Sequence, residues 1–305
     1  MLLLSKIRHA LNNCRFDFMS IHKFALTLSI ISIVGSLILV FTKGLNFGID
    51  FAGGILIEAN VTKDNNKIDV ANLRQILSGQ INDIHIQEAG ENNIIIRVAK
   101  TALDQNIVTK KIQNILEENY KVEYRKVDYV GPQVGSELIF KGFLALALSF
   151  IFIMIYIWIR FDWQFGIGGI FALIHDAIVT LGFFAITGLE FNLTSIAAIL
   201  TIVGYSINDS VVIYDRIREN LRSYPKIDLI ELINSSTNST LSRTILTAST
   251  TLISLLALIF FGGETLFSFS AATFFGILIG TYSSIYISAP ILLYFDPRQK
   301  KSKNT

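Results

Sequence analysis

Two aspartates stand in apolar surroundings that carboxylates normally avoid. Asp209 lies with Asn208 inside the stretch Phe191–Tyr214, and Asp176 follows His175 inside Phe165–Thr187. A charge at helix-centre depth in a bilayer costs about 2.5–3.5 kcal/mol on insertion scales, so such acids face a bundle interior and often bind or relay protons and ions. Asp176 is about eleven residues into its stretch, roughly 16 Å at 1.5 Å per residue, which is close to the midplane. Asp209 is about six residues from the far end of its own stretch, roughly 9 Å deep by the same rise. A third group, Arg243, opens the next apolar stretch and is followed by Thr247, Thr250, Thr251 and Ser254 on one helical face. An arginine at that edge can snorkel outward or turn in to meet Asp209. Asp176, Asp209 and Arg243, with Asn208 beside them, therefore make a candidate proton path. A carboxylate beside a movable guanidinium has two states: paired it keeps its charge, unpaired and out of water it takes up a proton. The competing reading for each polar residue is a hydrogen bond between membrane helices, about 0.6 kcal/mol on average. That reading suits Asn208 best and Asp209 least, while Arg243 also fits a simple charge anchor at a helix end.

Other chemistries find little support. No nucleophile–base pair, phosphate-cradling glycine loop or metal-spaced histidine cluster is present. His175-Asp176 hints at an intramembrane hydrolase, but His9, His22 and His85 fall outside the apolar stretches and supply no second ligand. An enzyme, a cofactor site and a metal site are not expected, and any energy source lies outside the chain. The single cysteine, Cys14, excludes an internal disulfide. A net charge of +2 gives no footprint for nucleic acid.

The elements that hold these residues follow from composition. Only 16% of the 305 residues are charged and the mean hydropathy is +0.52, against about 25% charged in soluble domains. A bilayer core needs about 20 apolar residues per helix. Six stretches qualify: Phe24–Thr42, Leu138–Ile159, Phe165–Thr187, Phe191–Tyr214, Arg243–Phe261 and Phe267–Tyr294. Lys6, Arg8, Arg15 and Lys23, then Arg160, then Arg216, Arg218, Arg222 and Lys226, then Arg298, Lys300, Lys301 and Lys303 all mark one side. The opposite connections, Gly188–Glu190 and Gly262–Glu264, carry no Lys or Arg, so both termini are expected in the cytoplasm. The first apolar run is too long for a cleaved leader and reads as a retained span. Gly276 and Gly280 have the GxxxG spacing of close helix packing, and Pro290 is a candidate kink.

Between the first two spans, 44–135 is patterned as a domain. Gly54–Val61 alternates as a strand, Val70–Leu77 has helical spacing, and Ile84–Gln87 and Asn93–Val98 read as a hairpin across Gly90-Glu91-Asn92. Asn106–Leu116 is a second amphipathic helix and Lys121–Tyr129 a last strand. The β-α-β-β-α-β order predicts a ferredoxin-like domain. The expected layout is a polytopic α-helical membrane protein with six transmembrane helices and this one α+β domain outside. Residues 1–23 form a cytoplasmic segment, 24–42 the first span, and 138–294 the other five; 215–242 is a cytoplasmic loop and 295–305 a tail.

Several runs resemble known signatures. GLNFGIDFAGG (Gly44–Gly54), RFDWQFGIGGIFALIHD (Arg160–Asp176), GYSINDSVVIYDRIREN (Gly204–Asn220), SRTILTASTTL (Ser242–Leu252) and GGETLFSFS (Gly262–Ser270) are similar to those of the SecD/SecF family of protein-export membrane proteins, within the resistance-nodulation-division superfamily. The likeness runs from Gly44 to Pro290. It implies half of a twelve-span unit in the bacterial inner membrane, paired with a SecD chain, with 44–135 in the periplasm. It also implies association with the SecY-SecE-SecG channel, YajC and YidC, and use of the proton-motive force to draw a preprotein outward after SecA has driven it. By motif, Asp209 corresponds to the family's fourth-span proton-pathway aspartate and Arg243 to its fifth-span arginine; no family role carries over to Asp176. Half of a related exporter of lipids or small molecules remains an alternative, as does a scaffold that only stabilises a channel.

Overall fold

The computed structural model describes residues 16–298, apart from 63–69, 82–83, 89–91 and 99–104. Cys14, the cations Lys6, Arg8, Arg15, Lys300, Lys301 and Lys303, and the Gly90-Glu91 turn lie outside the described residues. The protein is predominantly helical. Among the described residues six helices are long and apolar enough to cross a membrane: His22–Lys43, Pro132–Arg160, Trp163–Thr187, Leu193–Ser223, Leu229–Phe261 and Gly263–Ser283. The sixth continues as a π turn, Ser284–Ser288, and a 3₁₀ turn, Pro290–Leu293.

The fourth and fifth helices run well past their apolar stretches. Most of 215–242 is helical, and only 224–228 links the two. Asp228 caps the fifth helix by accepting hydrogen bonds from the Ile230 and Glu231 amides at 3.0 and 3.4 Å. Hydropathy misses this extension because its serines and threonines lower the mean. Yet Ser236 and Thr237 donate back to the Leu232 and Ile233 carbonyls at 2.7 and 2.9 Å, which costs the helix little. Its buried Leu229, Leu232 and Ile233 join Ile213, Tyr214 and Ile217 of the fourth helix in one apolar cluster.

The chain divides into two compact units, one of which holds 47–144 with 191–193. In that unit β1 (Gly54–Thr62), α1 (Val70–Ser78), β2 (Ile84–Glu88), β3 (Asn93–Val98), α2 (Gln105–Asn119) and β4 (Lys121–Val130) follow in order. The sheet runs β2-β3-β1-β4, with every neighbouring pair antiparallel. Central β1 turns Ile55, Ile57, Ala59 and Val61 inward, one residue in two, onto Leu73 and Leu77 of α1 and Ile112 and Leu116 of α2. Ahead of β1, Gly53 and Gly54 hold φ of 73° and 128°, conformations that side chains resist. This turn sets Phe51 edge-on or tilted against Phe47 and Phe191, with ring centroids 6.0 and 5.8 Å away. Asp50 there accepts the Leu193 amide at 3.1 Å.

Candidate functional site

The third helix is built to be enclosed. Gly168, Gly169, Ala172, Asp176, Thr180 and Gly182 are small or polar and all lie on its buried side. At Gly182 a side chain would meet Ser36 of the first helix, with the Ser36 Cα only 2.9 Å away. Such contacts let backbones approach as small residues do in membrane bundles. Asp176 emerges at the centre of this face, 0% exposed. Its Oδ2 accepts hydrogen bonds from Ser206 Oγ at 2.6 Å and Ser283 Oγ at 2.7 Å. Its Oδ1 lies 2.9 Å from His175 Nδ1. Three neighbours thus satisfy one carboxylate, and two of them come from the fourth and sixth helices.

Asp209 is almost as deep, 3% exposed, but its surroundings are the opposite. Among the described residues no side chain or backbone amide donates a hydrogen bond to it. At about 100° per residue, Asp209 projects between Tyr205, about 40° to one side, and Ser206, about 60° to the other. Those two residues identify the neighbours. Tyr205 donates to the Thr247 carbonyl of the fifth helix at 2.9 Å and shares a hydrogen bond with the Thr251 hydroxyl. Ser206 faces the sixth helix, where a Cβ added at Gly280 would lie 3.1 Å from the Ser206 Cβ. One turn earlier, a Cβ at Gly276 would overlap Ile202, reaching 2.9 Å from its Cγ2 and closer still to Cγ1 and Cδ1. Asp209 therefore sits at the corner where the fourth helix meets both the fifth and the sixth.

Arg243 does not bond Asp209, though it is near enough for its charge to act on that carboxylate. It is exposed and lines a groove of about 380 Å³ with Tyr156, Asn208, Val211, Val212 and Thr240. Asn208 is exposed in the same groove, about 100° around the helix from Asp209. The polar stripe on the fifth helix divides. Thr247 and Thr251 meet Tyr205, whereas Arg243, Thr250 and Ser254 are exposed. No hydrogen-bonded chain joins Asp176 to Asp209 among the described residues; their link is Ser206, which touches the first and lies one turn before the second.

Sequence reading passed over Ser206, Ser283 and Tyr205. One signal was available: Tyr205, Ser206, Asn208, Asp209 and Ser210 are five polar residues in six positions of a membrane-length stretch. Nothing in the sequence marked Ser283 among the other serines of the sixth helix.

Residues 110–298 match the model for Protein export membrane protein SecD/SecF, C-terminal, and 38–64 match the SecD/SecF GG Motif. The chain belongs to the SecD/SecF family. The GG match falls on the Gly53-Gly54 turn, where positive φ values explain the paired glycines. Within the family, the chain is 51% identical over 298 residues to the protein translocase subunit SecF of Rickettsia conorii, covering 96% of each chain. It is 53% identical over 291 residues to that of Rickettsia bellii, covering 93% of this chain and 94% of the relative. Among solved structures it is similar to SecDF, a translocon-associated membrane protein from Thermus thermophilus, with a TM-score of 0.83 and 34% identity. The super-membrane-facing form of SecDF matches with a TM-score of 0.71, again at 34% identity. The chain spans 39% and 40% of those two SecDF chains and covers 93% and 95% of itself.

Proposed function

We propose that the chain is the SecF-like half of a proton-driven protein-export unit in the bacterial inner membrane. It pairs with a SecD-like chain, as its fit to part of a single SecDF polypeptide supports. On this reading the unit works with the SecY-SecE-SecG channel, YajC and YidC to move preproteins outward. Both termini are cytoplasmic, since the ends bearing Arg160, Arg216, Arg218 and Arg298 share one side of the bundle's charge pattern. The sheet domain, whose strand order is that of a ferredoxin-like unit, then lies in the periplasm and carries the motion to the preprotein.

The observation that carries this reading is the contrast between the two buried carboxylates. Asp176 has three hydrogen-bonding neighbours, whereas Asp209 has none among the described residues and lies within reach of the exposed Arg243 charge. An enclosed carboxyl without donors can bind and release a proton without dismantling a network. The potential supplies about 2.3 kcal/mol per charge per 100 mV, so few protons per cycle drive modest conformational work. Asn208, exposed beside Arg243, lines the cytoplasmic approach to the pair.

The test is preprotein export in vesicles containing the assembled complex, with and without an imposed proton gradient. Asp209→Asn keeps the shape and removes titration, so the gradient response should vanish while assembly persists. A normal response from a fully assembled Asp209→Asn complex would sink the proposal. Purification after mild solubilisation decides the class of machine. Recovery of the Sec channel supports export of polypeptides, and recovery of an outer-membrane conduit instead would point to small molecules.

A further inference from the structure

We propose that Asp176 is a positioning residue, a clamp that joins the third, fourth and sixth helices and thereby holds Asp209 in its corner. The proposal rests on the reading that Asp209 binds the transported proton. Asp176 Oδ2 receives one hydroxyl from each flanking helix, Ser206 at 2.6 Å and Ser283 at 2.7 Å, and those hydroxyls are themselves 3.4 Å apart. Both bonds end on one oxygen, so neither helix can turn or slide without breaking a contact to the other two.

The geometry on each side makes that clamp consequential. On the fourth helix, Ser206 lies in the row Ile202–Ser206–Asp209, spaced by four and then three residues, and these positions share one face. On the sixth helix, Gly276, Gly280 and Ser283 repeat the same spacing; Gly276 meets Ile202, and Gly280 and Ser283 meet Ser206, so the rows form one seam that ends a turn before Asp209. Ser283 is also the last residue before the π turn Ser284–Ser288, where the winding of the sixth helix changes. A helix whose hydrogen-bond pattern shifts there needs its position fixed from outside, and Asp176 fixes it. The same end is tied to the first helix, since Tyr282 donates to the Ala25 carbonyl at 2.8 Å and shares a 3.0 Å hydrogen bond with Ser29. Rotating the fourth helix by one residue, about 100°, would carry Asp209 off the line of the seam, in one direction into the exposed groove that Asn208 and Arg243 line. Asp176 prevents this through the two hydroxyls it accepts.

The decisive variant leaves every titratable group in place. Ser206→Ala/Ser283→Ala removes both hydroxyls, and in the assembled complex it should lower export at a subsaturating proton gradient about fivefold or more, the effect of leaving a buried acceptor unmet. Restoring one hydroxyl with Ser206→Ala/Ser283→Thr should recover part of the rate. A second readout is independent of export: with Cys14→Ser, maleimide labelling at Asp209→Cys should be slow when the serines are intact and about fivefold faster or more without them. Wild-type export together with unchanged labelling in the double variant overturns the clamp. So does loss of export in Asp176→Asn when the serine variant is normal, since Asp176 would then carry protons itself. If the double variant does not assemble, Ser283→Ala alone is measured against the same two outcomes. Asp209→Asn, run in parallel, separates the two ideas: a gradient response that survives it refutes the role of Asp209, while the labelling result still decides the clamp.

Discussion

Substituting alanine for Gly276 tests the seam directly. The added Cβ would overlap the Ile202 side chain, lying 2.9 Å from Cγ2 and nearer to Cγ1 and Cδ1. Three atoms are involved, so one rotamer change does not clear the overlap, and either Ile202 leaves its well or the helices separate. Overpacking of this kind costs about 1–3 kcal/mol. Gly204 is the internal control, two residues beyond Ile202 on the same helix, with nothing within 4 Å of an added Cβ. There alanine gains from helix propensity by up to about 1 kcal/mol. Gly276 is also inside a helix and gains the same propensity, so the two glycine-to-alanine changes should differ by the overpacking cost alone, about 1–3 kcal/mol. At roughly 2–4 °C per kcal/mol for a chain of comparable size, the midpoints should separate by several degrees. The assay is thermal unfolding of the purified chain in mixed micelles, repeated with Ile202→Ala. That second change makes room, so the double variant should regain most of the loss, a coupling of about 1 kcal/mol or more. Equal midpoints for Gly276→Ala and Gly204→Ala, or no coupling to Ile202, would refute the close approach of the fourth and sixth helices.

Tyr205→Phe removes the hydrogen bonds to Thr247 and Thr251 and should cost about 0.6–1.7 kcal/mol, the range for bonds between membrane helices; a double-mutant cycle with Thr251→Ala should show the two effects are not additive. Asn234 and Asn238 hold the approach to the first helix: Phe18 N donates to Asn234 Oδ1 at 2.9 Å, Phe16 N to Asn238 Oδ1 at 2.8 Å, and Asn238 Nδ2 to the Phe16 carbonyl at 2.7 Å. Asn234→Ala/Asn238→Ala should raise hydrogen exchange at the Phe16 and Phe18 amides by about fivefold, corresponding to about 1 kcal/mol per lost bond, with the spans unaffected. Beyond the sixth helix, partial burial pushes the Asp296 carboxyl up, but hydrogen bonds from the Arg298 side chain and amide outweigh it and hold the group below its ordinary range. A depressed carboxylate stabilises above its unfolded value and loses that contribution as pH falls through its folded one, so the effect should disappear below about pH 4. Both partners are partly exposed, so the effect should stay below about 1 kcal/mol, and Asp296→Asn should flatten the acid limb of an unfolding profile.

Much of this molecule is local and was therefore legible in its residues. Transfer of each side chain to lipid is nearly additive along a helix, so six apolar stretches located six helices. Alternation of period two along β1, and helical spacing in α1 and α2, follow from the backbone geometry of each element alone. The same local logic picked out Asp176 and Asp209, since a carboxylate in an apolar run is anomalous wherever the chain goes. It failed where local averages hide geometry. The fifth helix begins at Leu229, not Arg243, because a capped amphipathic segment lowers hydropathy without interrupting the backbone hydrogen bonds.

The different characters of the two aspartates were decided only by folding. Asp176 meets Ser206 and Ser283, which are 30 and 107 residues away, and no pattern in the chain records which serine a distant helix will present. Asp209 lies a turn beyond Ser206, yet no group among the described residues donates a hydrogen bond to it. Asn208, adjacent in sequence, turns about 100° away into the groove of Arg243. Composition placed both carboxylates out of water; packing determined which one is tied down by three neighbours and which receives no hydrogen bond among the described residues.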